Sequence, residues 1–359
     1  MKDLPAALGR AWPGLCLDAA RPVAGGLINA TWRVPDRTGR HWAVQRVNAL
    51  FPAEVNLDIA AVTAHLARKG IPTPRLRATT GGTLWVETEE GLWRCLTWME
   101  GWAHPRLSGP AMARSAGHLV GRFHAALGDL EYRYRNRRPS VHDTPRHLRR
   151  LERALESHGA HRLHAPVAGL AGPLLEAARG LEPSTALPLR HAHGDLKVSN
   201  LLFGPRGEGL CLIDLDTLGP MAWPLEMGDA LRSWCNPLAE DDPGAHFDLA
   251  LAEAALAGYA EGAAGRTGAA EWAALPGGVA RITLELAARF LTDTLEERYF
   301  GWDGERYAAA GEHNLARARA MWRLYLDVEA KRAPLRGLCR RMSHPDGGKP
   351  PLQSESNLV

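Results

Sequence analysis

Cysteine is scarce and unpatterned in this chain: Cys16, Cys95, Cys211, Cys235 and Cys339 are odd in number and scattered, without CxxC or Cys/His ligand spacing. Neither a disulfide framework nor a zinc site is expected, and a reducing, cytoplasmic setting fits. No run of about 18 apolar residues escapes interruption by charge, and the amphipathic start over residues 1–17 lacks a continuous apolar stretch, so no membrane span or membrane partner is expected. Excess charge is also missing. The formal net charge is +3 over 359 residues and no basic run is interleaved with aromatics, which argues against a nucleic-acid partner. There is no internal repeat.

What is present is ordinary globular material, 45% hydrophobic and 23% charged, enough for two lobes rather than one. Short β-type runs at residues 31–34, 42–47, 83–89 and 92–98, joined by turns at Gly39 and Gly81-Gly82, predict an antiparallel sheet. One helix over 53–69 interrupts it, because Val55, Ile59, Val62 and Leu66 recur at helical spacing before the stop Gly70-Ile71-Pro72. After Glu100-Gly101 the pattern turns helical, at 110–127, 144–156, 173–179, 247–262, 278–300 and 314–332, with one strong β-type run at 210–215. The expected fold is α+β: a sheet lobe over 1–100, a mainly helical lobe over 101–343, and a disordered tail over 344–359 rich in Pro, Gly and Ser.

The segment His193-Gly194-Asp195-Leu196-Lys197-Val198-Ser199-Asn200, followed by Ile213-Asp214, supplies the parts that phosphoryl transfer needs. Asp195 can orient and deprotonate a hydroxyl, and Asn200 and Asp214 offer oxygen ligands to Mg²⁺ on a triphosphate. Such chemistry rests on positioning and charge neutralisation, so a base and two metal ligands form a sufficient core. Lys197 can reach a phosphate or stand as a surface lysine. His193 reads as a residue that braces the loop.

These residues resemble the catalytic and metal loops of the aminoglycoside phosphotransferase and choline kinase superfamily, relatives of protein kinases, and the likeness spans nearly the whole chain. It implies a bilobal kinase-like fold, ATP and Mg²⁺ as cofactors, and a small-molecule hydroxyl acceptor, in a monomer or homodimer. Gly25-Gly26-Leu27-Ile28-Asn29 resembles the phosphate-covering loop, which assigns Gly25, Gly26 and Asn29 to the nucleotide. Glu100-Gly101 resembles the interlobe linker whose backbone meets adenine. The segment 119–127, with His124, resembles a family helix in which the histidine braces the core.

Within the superfamily, Val44-Gln45-Arg46-Val47-Asn48, His142-Asp143-Thr144-Pro145-Arg146, Ile213-Asp214-Leu215-Asp216-Thr217, the 285–293 segment and Asn314-Leu315-Ala316-Arg317 look closest to N-acetylhexosamine 1-kinases. That resemblance implies a sugar phosphorylated at its anomeric hydroxyl, with Asp216, Arg289, His142 and Asp143 at the acceptor. In the strand 210–216, Asp214 and Asp216 are two residues apart and so share a face, which lets one meet metal and the other substrate. The alternatives are an aminoglycoside, choline or homoserine kinase, or a silent nucleotide-binding scaffold. One departure supports the scaffold: the strand 42–47 has no lysine. Arg46 is its only cation, with Glu54 a candidate partner, and it reads either as a phosphate ligand or as a surface residue. Glu240-Asp241-Asp242, the one acidic cluster of the second lobe, reads as a solvated turn.

Overall fold

A computed structural model describes residues 4–23, 29–136, 142–181 and 187–343. The phosphate-loop glycines Gly25 and Gly26 and the tail 344–359 lie outside the described residues. The first lobe carries α1 (Ala6–Ala11), β1 (Arg21–Pro22), β2 (Ala30–Pro35), β3 (His41–Val47), α2 (Val55–Arg68), β4 (Val86–Thr88) and β5 (Gly91–Thr97). Its five strands form an antiparallel sheet in the order β1-β2-β3-β5-β4.

Alternation along the strands gives this sheet two different faces. Trp42 and Val44 of β3, Val34 of β2 and Trp93 and Cys95 of β5 are buried together with Leu8 and Trp12 of the N-terminal segment. The opposite face, with Thr31, Ala43, Gln45, Arg94 and Leu96, looks into the interlobe cleft. On α2 the stripe Val55, Ile59, Val62 and Leu66 is buried against the helical lobe.

That lobe runs through β6 (Trp102–Ala103), α3 (Pro110–Leu127), α4 (Thr144–Ser157), α5 (His164–Arg179), β7 (Leu189–Ala192), β8 (Leu201–Phe203), β9 (Gly209–Leu212), β10 (Gly219–Ala222), α6 (Trp223–Trp234), α7 (Leu249–Ala263), α8 (Ala269–Glu296), α9 (Ala310–Ala330) and α10 (Arg332–Ser343). The run expected as one strand over 210–215 is shorter. β9 stops at Leu212, Asp214 turns left-handed at φ 62° and ψ 59°, and Leu215–Thr217 closes a 3-10 turn. Aspartate tolerates that conformation better than most residues. Asp214 and Asp216 therefore do not share a strand face. No described helix is long and apolar enough to cross a membrane.

Helix packing decides where the later chemistry sits. A Cβ on Gly117 of α3 would lie 1.9 Å from the Ala255 carbonyl oxygen of α7, and one on Gly258 would lie 1.9 Å from the Arg114 carbonyl oxygen. Gly228 of α6 and Gly278 of α8 meet in the same way, the latter's Cβ falling 2.0 Å from the Pro224 carbonyl oxygen. Backbone thus touches backbone, which locks α6 against α8 and α3 against α7 without slack. Gly117→Ala tests the contact. In an open helix the change would stabilise by about 1 kcal/mol through propensity; here overpacking should reverse the sign and cost about 1–3 kcal/mol, read from the urea unfolding midpoint.

Candidate active site

The loop between β7 and β8 is irregular, so its N–H groups need partners from elsewhere. α6 provides them. Glu226 Oε1 accepts from the His193 N–H at 2.7 Å and its Oε2 from Gly194 at 3.0 Å, Asp229 Oδ2 accepts from Leu196 at 2.9 Å, and Ser233 Oγ accepts from Val198 at 3.1 Å. Trp234 Nε1 donates to the Leu196 carbonyl at 2.7 Å. Residues 226, 229 and 233 fall on one helix face. At Gly194, with φ 83°, a Cβ would come within 2.5 Å of the Thr217 carbonyl oxygen, so this turn requires glycine. His193 is fully buried and its Nε2 lies 2.9 Å from the Ile213 carbonyl oxygen, joining the loop to the segment that carries Asp214. His124 packs beneath, against Tyr259 and Glu226.

Held in this frame, Asp195 is met by two donors. Lys197 Nζ lies 2.6 Å from Oδ2, and Asn200 Nδ2 donates to the same oxygen at 2.9 Å and to the Asp195 carbonyl at 2.8 Å. Burial would push the Asp195 carboxyl up, but the Lys197 ammonium outweighs it and holds it below the usual range. Burial acts to lower Lys197, yet Asp195 and Asp214 together raise it, so the lysine stays charged. Asp214 differs from Asp195. Burial and the Asp216 charge push its carboxyl up to about 6, Lys197 opposing and Asp195 adding to the rise.

Crowded carboxylates of this kind call for a cation. The Asn200 amide nitrogen is spent on Asp195, which leaves Oδ1 as the atom to meet one, alongside the Asp214 oxygens. Among the described residues no three His, Cys, Asp or Glu side chains converge as a ligand cluster. The donor set is one carboxylate and one amide, which fits Mg²⁺ held jointly with substrate phosphates rather than a closed all-protein site.

Asp195, Lys197, Asn200 and Asp214 line a single cleft of about 1210 Å³ between the lobes, together with Asn29, Asp216, His142 and Arg289. Four expected site residues take definite places. Arg46 is exposed and shares parity with Trp42 and Val44, so, contrary to expectation, it lies on the sheet face away from the cleft. The Glu100 side chain turns outward to Arg33 at 3.2 Å and is 75% exposed, while the neighbouring linker residues Met99 and Gly101 line the cleft, so any contact of Glu100 with the nucleotide is through its backbone. Asp143, also contrary to expectation, caps α4, accepting from the Arg146 N–H at 3.1 Å, and does not line the cleft. Asp216 borders the cleft but is 1% exposed, gripped by the Arg94 guanidinium and by Asn29 Nδ2.

A family model described as the phosphotransferase enzyme family matches residues 19–272, well over half of the chain. The chain belongs to that family. It is an enzyme, a small-molecule kinase that transfers phosphate to a hydroxyl group. Solved structures agree with the fold. An amicoumacin kinase in complex with AMP-PNP, Ca²⁺ and its ligand superposes with a TM-score of 0.61 at 14% identity, covering 90% of this chain and 92% of that one. An aminoglycoside phosphotransferase from Alicyclobacillus acidocaldarius gives 0.61 at 16% identity over 93% and 98%. A microcompartment-associated aminopropanol kinase gives 0.57 at 20% identity over 92% and 97%.

The phosphotransferase also uses residues that sequence reasoning passed over. Arg94, Glu226 and Glu285 are buried charges whose partners lie on other elements, and Asp229 and Arg232 are buried charges of α6 that pair with each other one turn apart. Their one local signal is a charge inside an otherwise apolar run, as in Trp93-Arg94-Cys95-Leu96. Glu240, read from sequence as part of a solvated turn, reaches the cleft beside Arg232 and Arg317, while Asp241 accepts from Tyr307 at 2.7 Å. At the far end of the cleft, Glu285 of α8 accepts from Thr144 Oγ1 at 2.6 Å and lies 3.0 Å from His142 Nδ1.

Burial alone would lower the His142 imidazole, but the Glu285 charge outweighs it and raises it above the ordinary 6.5. Because the folded value is the higher one, this contact stabilises fully below pH 6.5 and fades as pH rises through the raised value. His142→Gln should therefore flatten the alkaline-side fall of the urea midpoint; an unchanged slope would show that another group titrates there.

Proposed function

We propose that this phosphotransferase moves the γ-phosphoryl group of ATP onto the anomeric hydroxyl of a hexosamine-type sugar, with Asp195 as the base. The observation that carries the reading is the charge state of the acceptor end. Among the described residues, every acidic side chain there besides Asp195 and Asp214 is already matched: Asp229 by Arg232 at 2.7 Å, Glu240 by Arg232 and Arg317 at 3.6 and 3.5 Å, and Glu285 by His142. Arg289, four residues after Glu285 on α8, forms no ion pair among the described residues, although its charge acts on Glu285 from a distance; it meets the Tyr299 hydroxyl and the Tyr299 and Phe300 rings.

An aminoglycoside, with several ammonium groups, needs unmatched carboxylates. A choline head needs free aromatic faces, and here Arg289 lies over Tyr299 and Phe300 while Arg317 lies over Phe290. A neutral polyol suits a guanidinium that offers hydrogen bonds to ring or acetamido oxygens.

In this reading Asp195, held anionic by Lys197, takes the proton of the acceptor hydroxyl as its oxygen bonds to the γ-phosphorus, and the bond to the bridging oxygen of ADP breaks. Asn200 holds Asp195 through two hydrogen bonds from Nδ2, which leaves its Oδ1 for a cation. A divalent cation bound by Asn200 and Asp214 would supply charge neutralisation on the phosphate oxygens. Lys197 adds a second positive charge on the same side of the base. His193 and Glu226 keep the loop from moving away from the acceptor.

Asp195→Asn should lower kcat by about 10²–10⁴-fold with ATP binding little changed, since the metal side chains stay in place. More than half of the wild-type kcat would remove Asp195 from the chemistry. Acceptor choice is tested by ADP release over N-acetylglucosamine, N-acetylgalactosamine, their 1-O-methyl glycosides, an aminoglycoside, choline and homoserine. The free sugars should turn over and the glycosides should not, and Arg289→Ala should raise the sugar KM by about 10–100-fold, the loss of one charge-assisted bond. Turnover of homoserine alone would mean that Arg289 takes a carboxylate and would move the acceptor to a hydroxy amino acid.

A further inference from the structure

The first lobe lacks a lysine on β3, yet it does not lack a cleft cation. Gln45 of β3 stands in register with Arg94 of β5, and both look into the cleft. Arg94 is 1% exposed, and its donors are almost all committed. Nε donates to Gln45 Oε1 at 2.8 Å, Nη1 to Asp216 Oδ1 and to Asn56 Oδ1 of α2 at 3.5 Å, and Nη2 to Asp216 Oδ2 at 2.9 Å. Asp216 takes a further bond from Asn29 Nδ2, and Asn29 Oδ1 accepts from the Asn48 N–H at 2.9 Å. Gln45 in turn donates to Thr31 Oγ1 at 3.0 Å. One polar chain thus ties β2, β3, β5 and α2 of the sheet lobe to the 3-10 turn that follows Asp214.

We propose that Arg94 is a positioning residue for phosphoryl transfer: through its bidentate grip on Asp216 it holds the left-handed Asp214 turn of one lobe in fixed relation to the sheet of the other. The inference rests on the reading of Asp214 as a metal ligand. Fold stability alone gives no reason for such a pair, because two apolar side chains of similar volume hold a buried contact as well as a buried ion pair does. What the fork adds is orientation, since two parallel N–H bonds fix the plane of the carboxylate they meet. Asp216 is two residues from Asp214, so that plane sets the turn. With four of its five N–H bonds committed within the protein, Arg94 acts on the nucleotide through Asp214 rather than as a phosphate ligand. Asn29, which directly precedes β2, joins the same carboxylate, so the start of β2 and the turn after Asp214 share one anchor.

The test uses the full chain, ATP and Mg²⁺, and needs no acceptor. Arg94→Met combined with Asp216→Leu keeps the site filled, and Arg94→Lys keeps the charge while losing the fork; Asp214→Ala is the control. Urea midpoints report folding, and calorimetry reports ATP affinity with and without Mg²⁺. The expected result is a double variant that unfolds near the wild-type midpoint and binds metal-free ATP within about twofold, but loses about 10–100-fold of the affinity gained from Mg²⁺, the usual cost of removing a residue that orients a metal ligand. Arg94→Lys should show the same selective loss, which covers the case of a double variant that does not fold. Full retention of the Mg²⁺ gain in these variants, with its loss in Asp214→Ala, would make the pair merely structural. An equal fall in metal-free ATP affinity would make Arg94 a direct phosphate ligand and overturn the inference. Retention of the gain in Asp214→Ala would remove the metal reading on which it stands.

Discussion

Glu226 and Asp229, the two carboxylates of α6 that lie beneath the loop from His193 to Val198, carry the arrangement on which the cleft depends. An irregular loop leaves N–H groups without partners, and a buried carboxylate is costly unless several donors meet it. Each problem solves the other here. Glu226 takes the N–H groups of His193 and Gly194, and Asp229 takes that of Leu196 while holding Arg232. The helix can serve as this platform because Gly228 lets it lie directly on α8, the helix that carries Glu285 and Arg289. The loop that carries Asp195 and the cleft wall that carries Glu285 and Arg289 are thus parts of one packed unit, and a shift of α6 would move both.

Charge is distributed along the cleft with the same economy. Lys197 meets Asp195, Arg94 meets Asp216, Arg232 meets Asp229, and His142 meets Glu285. Asp214 faces two carboxylates, Asp216 and Asp195, and two cations, Lys197 and Arg94; burial is the larger influence and pushes its carboxyl up to about 6. Burial rather than an imbalance of neighbours therefore marks Asp214 as the carboxylate that a cation would relieve. Arg289, by contrast, forms no ion pair among the described residues.

Much of the architecture was legible from local pattern. The α2 stripe is buried as its spacing indicated, and α3 spans the residues read as helical. Pattern failed where it assumed that an element continues. The strand parity drawn from 210–216 does not survive the left-handed Asp214, and the Asp216 carboxylate pairs with Arg94. Arg46 was the visible cation on β3, but which face of a strand looks inward depends on what covers the other, and Trp12 from a distant segment covers the face that Arg46 shares. Asp143 was read only as an acceptor residue, and its side chain is taken by the N-terminus of α4, where it accepts from the Arg146 N–H.

By itself the sequence determined the order of sheet and helices, the spacing that brings Asp195, Asn200 and Asp214 within one loop system, and the membership of a phosphotransferase family. These follow from short-range information: helical period, strand alternation and the few residues separating Asp195, Asn200 and Asp214. Only the tertiary structure decided which charges are spoken for. Arg94 and Asp216 are 122 residues apart, and His142 and Glu285 are 143 apart. No local preference encodes such partners, because a buried charge is tolerated by whatever opposite charge the packed helices and sheet bring against it, and that choice is made only when the lobes close on each other.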